Sequence, residues 1–214
     1  MCHMKSVSKI LVILIVVVFG FHARTVFPLQ GPDASKADSM NEKIQLLRSR
    51  YDKGDAAPME FEVREEEANA YLLLRMIDQL PEGVVEPWVR FAEGPVIAGA
   101  LLDLDVLRDQ IPQSTLTQYL SGRVPVELSA RLQTGGGIGK IVLDSVSLSG
   151  IPLPSSFLQE LVTTYTKSPS RPDGVRLDEP FKLPYGVESV TVKKEMMLVK
   201  QGGAGRSPSP SHRD

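Results

Sequence analysis

The chain has 214 residues, of which 42% are hydrophobic and 23% charged, and its formal net charge is −2. These proportions are typical of a globular protein with one ordinary domain and tails, or at most two small domains. A nearly neutral chain without a long basic run, in which only 6% of the residues are aromatic, lacks the charge and the stacking side chains of a nucleic-acid-binding protein. We therefore expect no nucleic-acid partner.

Cysteine and histidine are confined to the ends of the chain. Cys2 is the single cysteine, so no disulfide can form within the chain. His3, His22 and His212 lie in or beside the terminal segments, and residues 59–201 contain neither residue type. That region therefore holds no Ser-His-acid triad. We expect a protein that is not an enzyme, with no catalytic residue, no cofactor and no metal site.

Residues 1–30 have the three-part form of a secretory signal. Lys5 and Lys9 precede a strongly apolar run over residues 10–21, and this order is typical of a signal peptide. The run is shorter than the roughly 20 residues of a membrane-spanning helix, so the sequence leaves open a cleaved signal or an N-terminal membrane anchor. In both cases the basic end stays inside and the rest is exported. We expect the protein in the periplasm or on the outer face of the cytoplasmic membrane, tethered there if the segment is uncleaved.

Two polar segments flank the expected domain. Residues 31–58 are polar with a short helical patch around Ile44, Leu46 and Leu47, and we interpret them as a tether between membrane and domain. Residues 202–214 are rich in Gly, Ser and Pro, a composition that cannot form a core, and are predicted to be a disordered tail. The folded domain is therefore expected over residues 59–201.

The domain begins with a strand and a helix. From Met59, apolar residues alternate with charged ones, which predicts a half-buried strand. Apolar residues then recur at helical spacing over 65–80, until Pro81 ends the pattern. Residues 85–94 and 96–107 follow as two strand-like segments.

A long hairpin is the clearest element of the pattern. After a short helical patch near 116–120, residues 124–134 alternate strictly and residues 138–151 return as a second strand. Gly135–Gly137 supply the turn between them.

The last elements are a second helix and a closing hairpin. The helix is predicted to begin after Pro154, and residues 181–200 give a short extended piece followed by the hairpin. The apolar positions of this hairpin that we expect in the core are Val190, Val192, Met196 and Leu198.

Two acidic groups are candidates for chemistry. Glu65, Glu66 and Glu67 are consecutive, so on a helix they point in directions about 100° apart and do not share a face as metal ligands must. They occupy a position where acidic side chains stabilise a helix N-terminus. We therefore predict that they start a helix.

Asp103, Asp105 and Asp109 form the second acidic group. In a strand, Asp103 and Asp105 share a face and would suit a cation site or an acid/base pair. The more common interpretation is a solvated strand face, which we favour. Gly135–Gly139 is followed by neither Lys-Ser nor Lys-Thr and joins two strands, so it is not a phosphate-binding loop.

Three stretches carry a resemblance to a known group. A strand running into "REEEANAYLLL", with Asn69, Tyr71 and Leu72, resembles the opening of small exported bacterial envelope proteins related to the TULIP-like (SMP-like) lipid-binding superfamily. "VSLSGIPLPSSFLQELV" resembles the long strand of that group that ends in Leu-Pro before the second helix, and "FKLPYGVESVTVKKEMMLV" resembles its closing hairpin. The resemblance implies an α+β fold, in which a strongly curved antiparallel sheet wraps around one long helix and leaves an apolar groove for lipid chains.

The expected function follows from this resemblance. It is non-enzymatic binding of a lipid or another apolar small molecule in a groove between sheet and helix, by an exported protein tethered through residues 10–21. The expected groove residues are large apolar or aromatic side chains: Phe61, Leu72, Met76, Trp88, Phe91, Phe157, Leu161, Met196 and Leu198.

The same apolar positions would equally fill a solid core. The alternative is therefore a structural or interaction module of the cell envelope with no ligand and a cystatin-like layout of helix on sheet. Such a module would contact an envelope protein partner through edge strands or loops.

Overall fold

The structure is a computed structural model. The residues that it describes are 33–55, 57–107, 121–166, 172–174, 176–177 and 179–202. The apolar segment 10–21, the predicted helical patch near 116–120, and Asp109 lie outside the described residues, as does the predicted tail from 203 onward.

The described part of the chain contains four α-helices and nine strands. The helices are α1 (Ala34–Lys53), α2 (Glu65–Arg75), α3 (Leu104–Leu107) and α4 (Ser155–Thr166), and 3-10 turns cover Ile77–Gln79 and Pro184–Gly186. The strands are β1 (Met59–Arg64), β2 (Val84–Phe91), β3 (Pro95–Asp103), β4 (Arg123–Gly135), β5 (Ile138–Leu148), β6 (Ile151–Pro152), β7 (Phe181–Lys182), β8 (Val187–Lys193) and β9 (Met196–Gln201).

The strands form two antiparallel sheets. A three-stranded sheet has the order β1-β9-β8, and a six-stranded sheet has the order β2-β3-β4-β5-β6, with β7 paired to β5. The predicted α+β class is therefore confirmed, and the larger sheet is not closed. The two sheets meet where Thr134 of β4 reaches β8: its hydroxyl accepts from the Val190 amide and donates to the Val190 carbonyl, both at 2.8 Å.

The hairpin of β4 and β5 is confirmed. Gly136 and Gly137 form its turn, with φ of 57° and 79°. Two successive residues at positive φ are what a type I′ hairpin turn needs, and glycine adopts that backbone without steric cost. The second helix and the closing hairpin of β8 and β9 are also present as predicted. The helix predicted over 65–80 ends earlier, at Arg75.

The segment interpreted as a polar tether differs from that interpretation. Residues 34–53 form α1, which is capped by Asp33 and ends at Gly54 in the left-handed conformation. Only Ala37 and Leu47 of this helix are fully buried. Ala37, Met40, Ile44 and Leu47 recur at helical spacing along α1 and are buried or half-buried. The stripe is narrow and lies among many polar residues, so the sequence indicates only a short helical patch there.

The apolar phase of β9 also differs from the prediction. Met197 and Val199 lie in the core, opposite Val63 and Phe61 of β1. Successive side chains of a strand point to opposite faces, so Met196 and Leu198 point away from this core. Their predicted core position is wrong, because four consecutive apolar residues fit either phase and only pairing with β1 and β8 selects one.

One face of the six-stranded sheet carries most of the core. α2 covers its β2–β3 end, where Val89, Val96 and Ala98 are buried. α4 covers its β4–β5 end through Leu158 and Val162. The apolar face of the three-stranded sheet lies beneath α1.

Candidate functional site

The acidic helix start is the most elaborate polar region of the described chain. α2 begins at Glu65, as predicted. Arg64, the last residue of β1, has an extended backbone, and its amide donates to the Glu67 carboxylate at 2.8 Å. A glutamate at the third helical position satisfies an amide that would otherwise have no partner at a helix N-terminus. The strand-to-helix transition is therefore fixed locally by Glu67.

Glu67 also joins α2 to α1. Its side chain accepts from Lys43 Nζ at 2.6 Å through both oxygens and from Ser39 Oγ at 2.6 Å. The residue is only 7% exposed. Burial alone would raise its pKa, but the hydrogen bonds from Arg64, Lys43 and Ser39 together outweigh burial and hold the pKa below its ordinary value. Glu67 is therefore an ionised structural group.

The other two glutamates have different partners. The carboxylate of Glu65 accepts from the Phe91 amide of β2 at 2.7 Å. Its burial raises its pKa, while the Phe91 amide and Arg90 act in the opposite direction. Glu66 forms an exposed ion pair with Lys36 of α1. The three glutamate side chains thus point in different directions and contact different partners. Within the described residues, no group of three or more His, Cys, Asp or Glu side chains could hold a metal ion.

The aspartates near the end of β3 are also engaged separately. β3 ends at Asp103, which lies 3.5 Å from Arg123 Nε, and α3 begins at the buried Leu104. Asp105 accepts from the Gly122 amide at 3.1 Å. The idea of a shared strand face for Asp103 and Asp105 is therefore wrong, because the strand stops between them.

Three of the predicted groove residues meet in one cluster. Leu72 and Met76 of α2 pack with Phe91 of β2, and their exposed fractions are 6%, 6% and 2%. Around them lie Val89, Val96, Ala98 and Val192. These side chains fill the space between α2 and the sheet.

The other described groove residues lie elsewhere. Phe61 packs beneath α1, in the cluster that contains Leu47. Trp88 points to the opposite face of the sheet from Phe91, and its indole lies so close to Gly99 that a Cβ there would be 2.8 Å from the ring. The side chains of Phe157 and Leu161 in α4 lie outside the described residues. With Met196 and Leu198 directed away from the core, the described members of the set do not line one groove.

Sequence reasoning missed the role of Asn69. Its amide group accepts from the Val89 amide and donates to the Val89 carbonyl, both at 2.7 Å, and it also donates to the Glu65 carbonyl at 3.0 Å. The Asn69 side chain thus pairs with the backbone of the edge strand β2 as a neighbouring strand would. This covers part of an edge that could otherwise pair with another chain. The one signal in the sequence is an asparagine inside a helix, where it is a poor helix former.

Gln201 is a second missed residue. It is 3% exposed, and its Nε2 donates to the carbonyls of Leu47 and Tyr185 at 2.8 and 2.6 Å. Its Oε1 accepts from Arg50 Nε at 3.1 Å. The end of β9 is thereby fixed to the C-terminal part of α1.

The chain matches no protein-family model, no curated protein and no solved structure. The TULIP-like relationship therefore stays a prediction. Among the helices that the structure describes, none is long and apolar enough to cross a membrane.

Proposed function

We propose that the protein is a non-enzymatic, exported module of the cell envelope that acts by contact with another envelope protein through its surface. The observation that carries this proposal is the packing of Leu72, Met76 and Phe91, which are at most 6% exposed and contact one another between α2 and the sheet. A side chain that is already buried by its own neighbours has no free surface for a ligand. These three predicted groove residues therefore support a solid core between α2 and the sheet.

The polar groups support the same interpretation. A carboxylate that acts as a catalytic acid or base must be available to a substrate. Glu67 is occupied by Lys43, Ser39 and Arg64, and Glu65 by the Phe91 amide. These carboxylates hold elements together, and such contacts are expected of a structural or interaction module.

The apolar segment 10–21 would hold this module near a membrane. We propose that residues 10–21 remain in the cytoplasmic membrane and that the domain lies on its outer face. Residues 22–32 separate that segment from the cap of α1, and eleven residues span at most about 36–40 Å. A partner would therefore be a protein of the same membrane or of the space directly above it.

The mode of contact that we propose is strand addition. β1 is an edge of the three-stranded sheet, and its outward side chains Glu60, Glu62 and Arg64 are exposed. An edge strand offers backbone groups to an extended segment of a partner, and its side chains give specificity.

A second candidate is binding of a lipid or other apolar ligand, with the sheet curved strongly around a helix as the resemblance implies. The observation that favours it is the half-buried apolar side chains on the outer face of the six-stranded sheet, where Val85 pairs with Leu101 and Ile97 lies on the same face. Such a row would suit an acyl chain along the sheet.

Native mass spectrometry of residues 31–214 distinguishes the two candidates. The chain would be exported, purified gently, and analysed for lipid after organic extraction. We expect a clean apo mass that does not change after incubation with envelope lipids. A stoichiometric co-purifying lipid would instead establish the second candidate and identify the ligand class.

A pair of substitutions on α2 tests the core directly. Leu72→Ala removes a core side chain and should lower the free energy of unfolding by about 2–5 kcal/mol, without any change in bound mass. Leu74→Ala is the matched control, because Leu74 is on the same helix and 40% exposed, and it should change stability little. Loss of a bound ligand from the Leu72 variant at unchanged stability would assign Leu72 to a groove.

A further inference from the structure

The attachment of α1 to the rest of the domain is unusually polar for a 20-residue helix. Ala37 and Leu47 are its only buried apolar side chains, and Met40 and Ile44 on the same face are half-buried. Most helices in globular proteins are held by a wide apolar stripe. The apolar stripe of α1 is narrow, so α1 obtains less of its stability from apolar burial than a helix with a wide stripe.

Three ion pairs and the Ser39–Glu67 hydrogen bond supply the polar contacts with α2. Lys43 pairs with the buried Glu67, while Lys36 pairs with Glu66 and Asp38 with Arg75. The last two pairs are near the surface, with side chains that are 35–55% exposed. Exposed pairs contribute little to stability and are weakened by salt. The N-terminal half of α1 is thus attached through Ala37 and Met40 and through these ion pairs, of which Lys43–Glu67 is the most buried.

What lies beneath α1 is apolar. Leu47 covers Val63, Val187 and Val199 of the three-stranded sheet. Near the same end, Gln201 binds the Leu47 carbonyl, and beyond it the helix ends at Gly54. Removal of α1 would uncover the inner face of β1, β9 and β8 and leave the six-stranded sheet with its own covers, α2 and α4.

We propose that α1 is a releasable strap, which undocks as a unit from α2 and the three-stranded sheet while the six-stranded sheet stays folded. The three ion pairs hold the strap closed, and α1 is itself the occupant of the apolar face beneath it. Elements with few buried apolar contacts open locally at a lower free energy than the core of the same protein. The apolar face would become exposed only when these ion pairs are broken.

Release also changes the reach of the domain, and this consequence rests on the proposed membrane tether. With α1 docked, residues 22–32 connect the apolar segment to the domain, which is 11 residues. With α1 undocked and unwound, residues 22–58 make the connection, which is 37 residues. The maximum span grows from about 40 Å to roughly 130 Å, so an undocked strap lets the domain contact a partner far above the membrane.

Hydrogen exchange read by mass spectrometry tests the strap on the full chain in detergent micelles. The amides of α1 should exchange faster than those of β4 and β5, and a change from about 0.05 M to about 1 M NaCl should speed exchange in α1 several-fold and leave the β4–β5 hairpin nearly unchanged. Lys43→Met should speed exchange in α1 by about tenfold or more, since it removes the charged partner of a buried carboxylate.

Two further variants keep the test decisive. Arg48→Met is the matched control: Arg48 pairs only loosely with Asp52 of the same helix, at 3.8 Å and half exposed, and its loss should leave exchange in α1 unchanged. If Lys43→Met does not fold, Arg75→Gln removes an exposed pair instead and should speed exchange in α1 several-fold. Exchange of α1 at the rate of β4 and β5 under both salt conditions and in these variants would overturn the strap. The readout involves no partner or lipid. The result for the strap therefore does not depend on whether the proposed function is correct.

Discussion

Replacement of Glu67 by glutamine is the sharpest perturbation that the structure offers. The glutamine side chain would keep the shape of the original one and could still accept from the Arg64 amide. It would lose the charge that faces Lys43 Nζ at 2.6 Å and would present an amide donor to Ser39 or Lys43. The substitution therefore removes electrostatics and hydrogen bonding while it leaves packing almost intact.

The expected cost is about 2–3 kcal/mol in the free energy of unfolding at neutral pH, because hydrogen bonds to charged groups contribute roughly 1.5–3 kcal/mol. Glu67 is 7% exposed, so solvent screens its contacts little. Lys43 is 25% exposed in its side chain and can recover part of its hydration, which keeps the cost below that of a fully buried broken pair.

The pH dependence of this cost has a definite sign. The native state lowers the pKa of Glu67, because the hydrogen bonds from Arg64, Lys43 and Ser39 outweigh the opposite effect of burial. A lowered carboxyl pKa contributes stability above the pKa of the unfolded state, about 4.3, and that contribution is lost as the pH falls through the native pKa. The difference between wild type and Glu67→Gln should therefore shrink steadily as the solution is acidified below that value.

Urea unfolding followed by circular dichroism at several pH values measures this difference. Glu65→Gln is the matched control on a nearby residue of the same helix start. Burial raises the pKa of Glu65, so the fold disfavours its charge, and its neutral analogue should be within about 1 kcal/mol of wild type at neutral pH. Any gain in the free energy of unfolding from Glu65→Gln should disappear below the pKa of Glu65 in the unfolded state, because the wild-type carboxyl is itself protonated there. Equal costs for the two substitutions, or a Glu67→Gln cost that does not fall with acidification, would refute the reasoning.

Two further predictions concern β2 and its neighbour β3. Asn69→Ala should cost about 1–3 kcal/mol in the free energy of unfolding, because the amide and carbonyl of Val89 lose their partner. Urea titration measures this cost. No change in stability would mean that water replaces the side chain. Gly99→Ala should cost about 1–3 kcal/mol and shift the fluorescence of Trp88, since the new Cβ would be 2.8 Å from the ring. Gly135→Ala is its control, because no atom lies within 4 Å of a Cβ there.

Much of the secondary structure follows from local sequence patterns. The alternation on either side of Gly135–Gly137 predicts the β4–β5 hairpin, and the three glutamates before "ANAYLLL" predict the start of α2. Both rest on interactions between residues close in the chain: positive φ in the turn, and unpaired amides with partial positive charge at the helix N-terminus.

α1 and β9 show where local patterns fail. The apolar stripe of α1 is narrow. The docking of α1 also depends on Glu67 and Gln201, which are 24 and 154 residues away from their α1 partners Lys43 and Leu47. In β9, Met196 and Leu198 are as apolar as Met197 and Val199, so the sequence carries no preference for either face. Pairing with β1 and β8 resolves it.

The candidate site likewise has features that the sequence predicts and features that only tertiary packing decides. The sequence by itself determined the α+β class, the hairpins, the helix start at Glu65 and the lack of His and Cys in residues 59–201, because these depend on composition or on neighbours along the chain. Tertiary structure alone decided that Leu72, Met76 and Phe91 fill one cluster while Trp88 lies on the other face of the sheet. Whether an apolar side chain lines a groove or fills a core depends on what packs against it, and those partners come from distant parts of the chain.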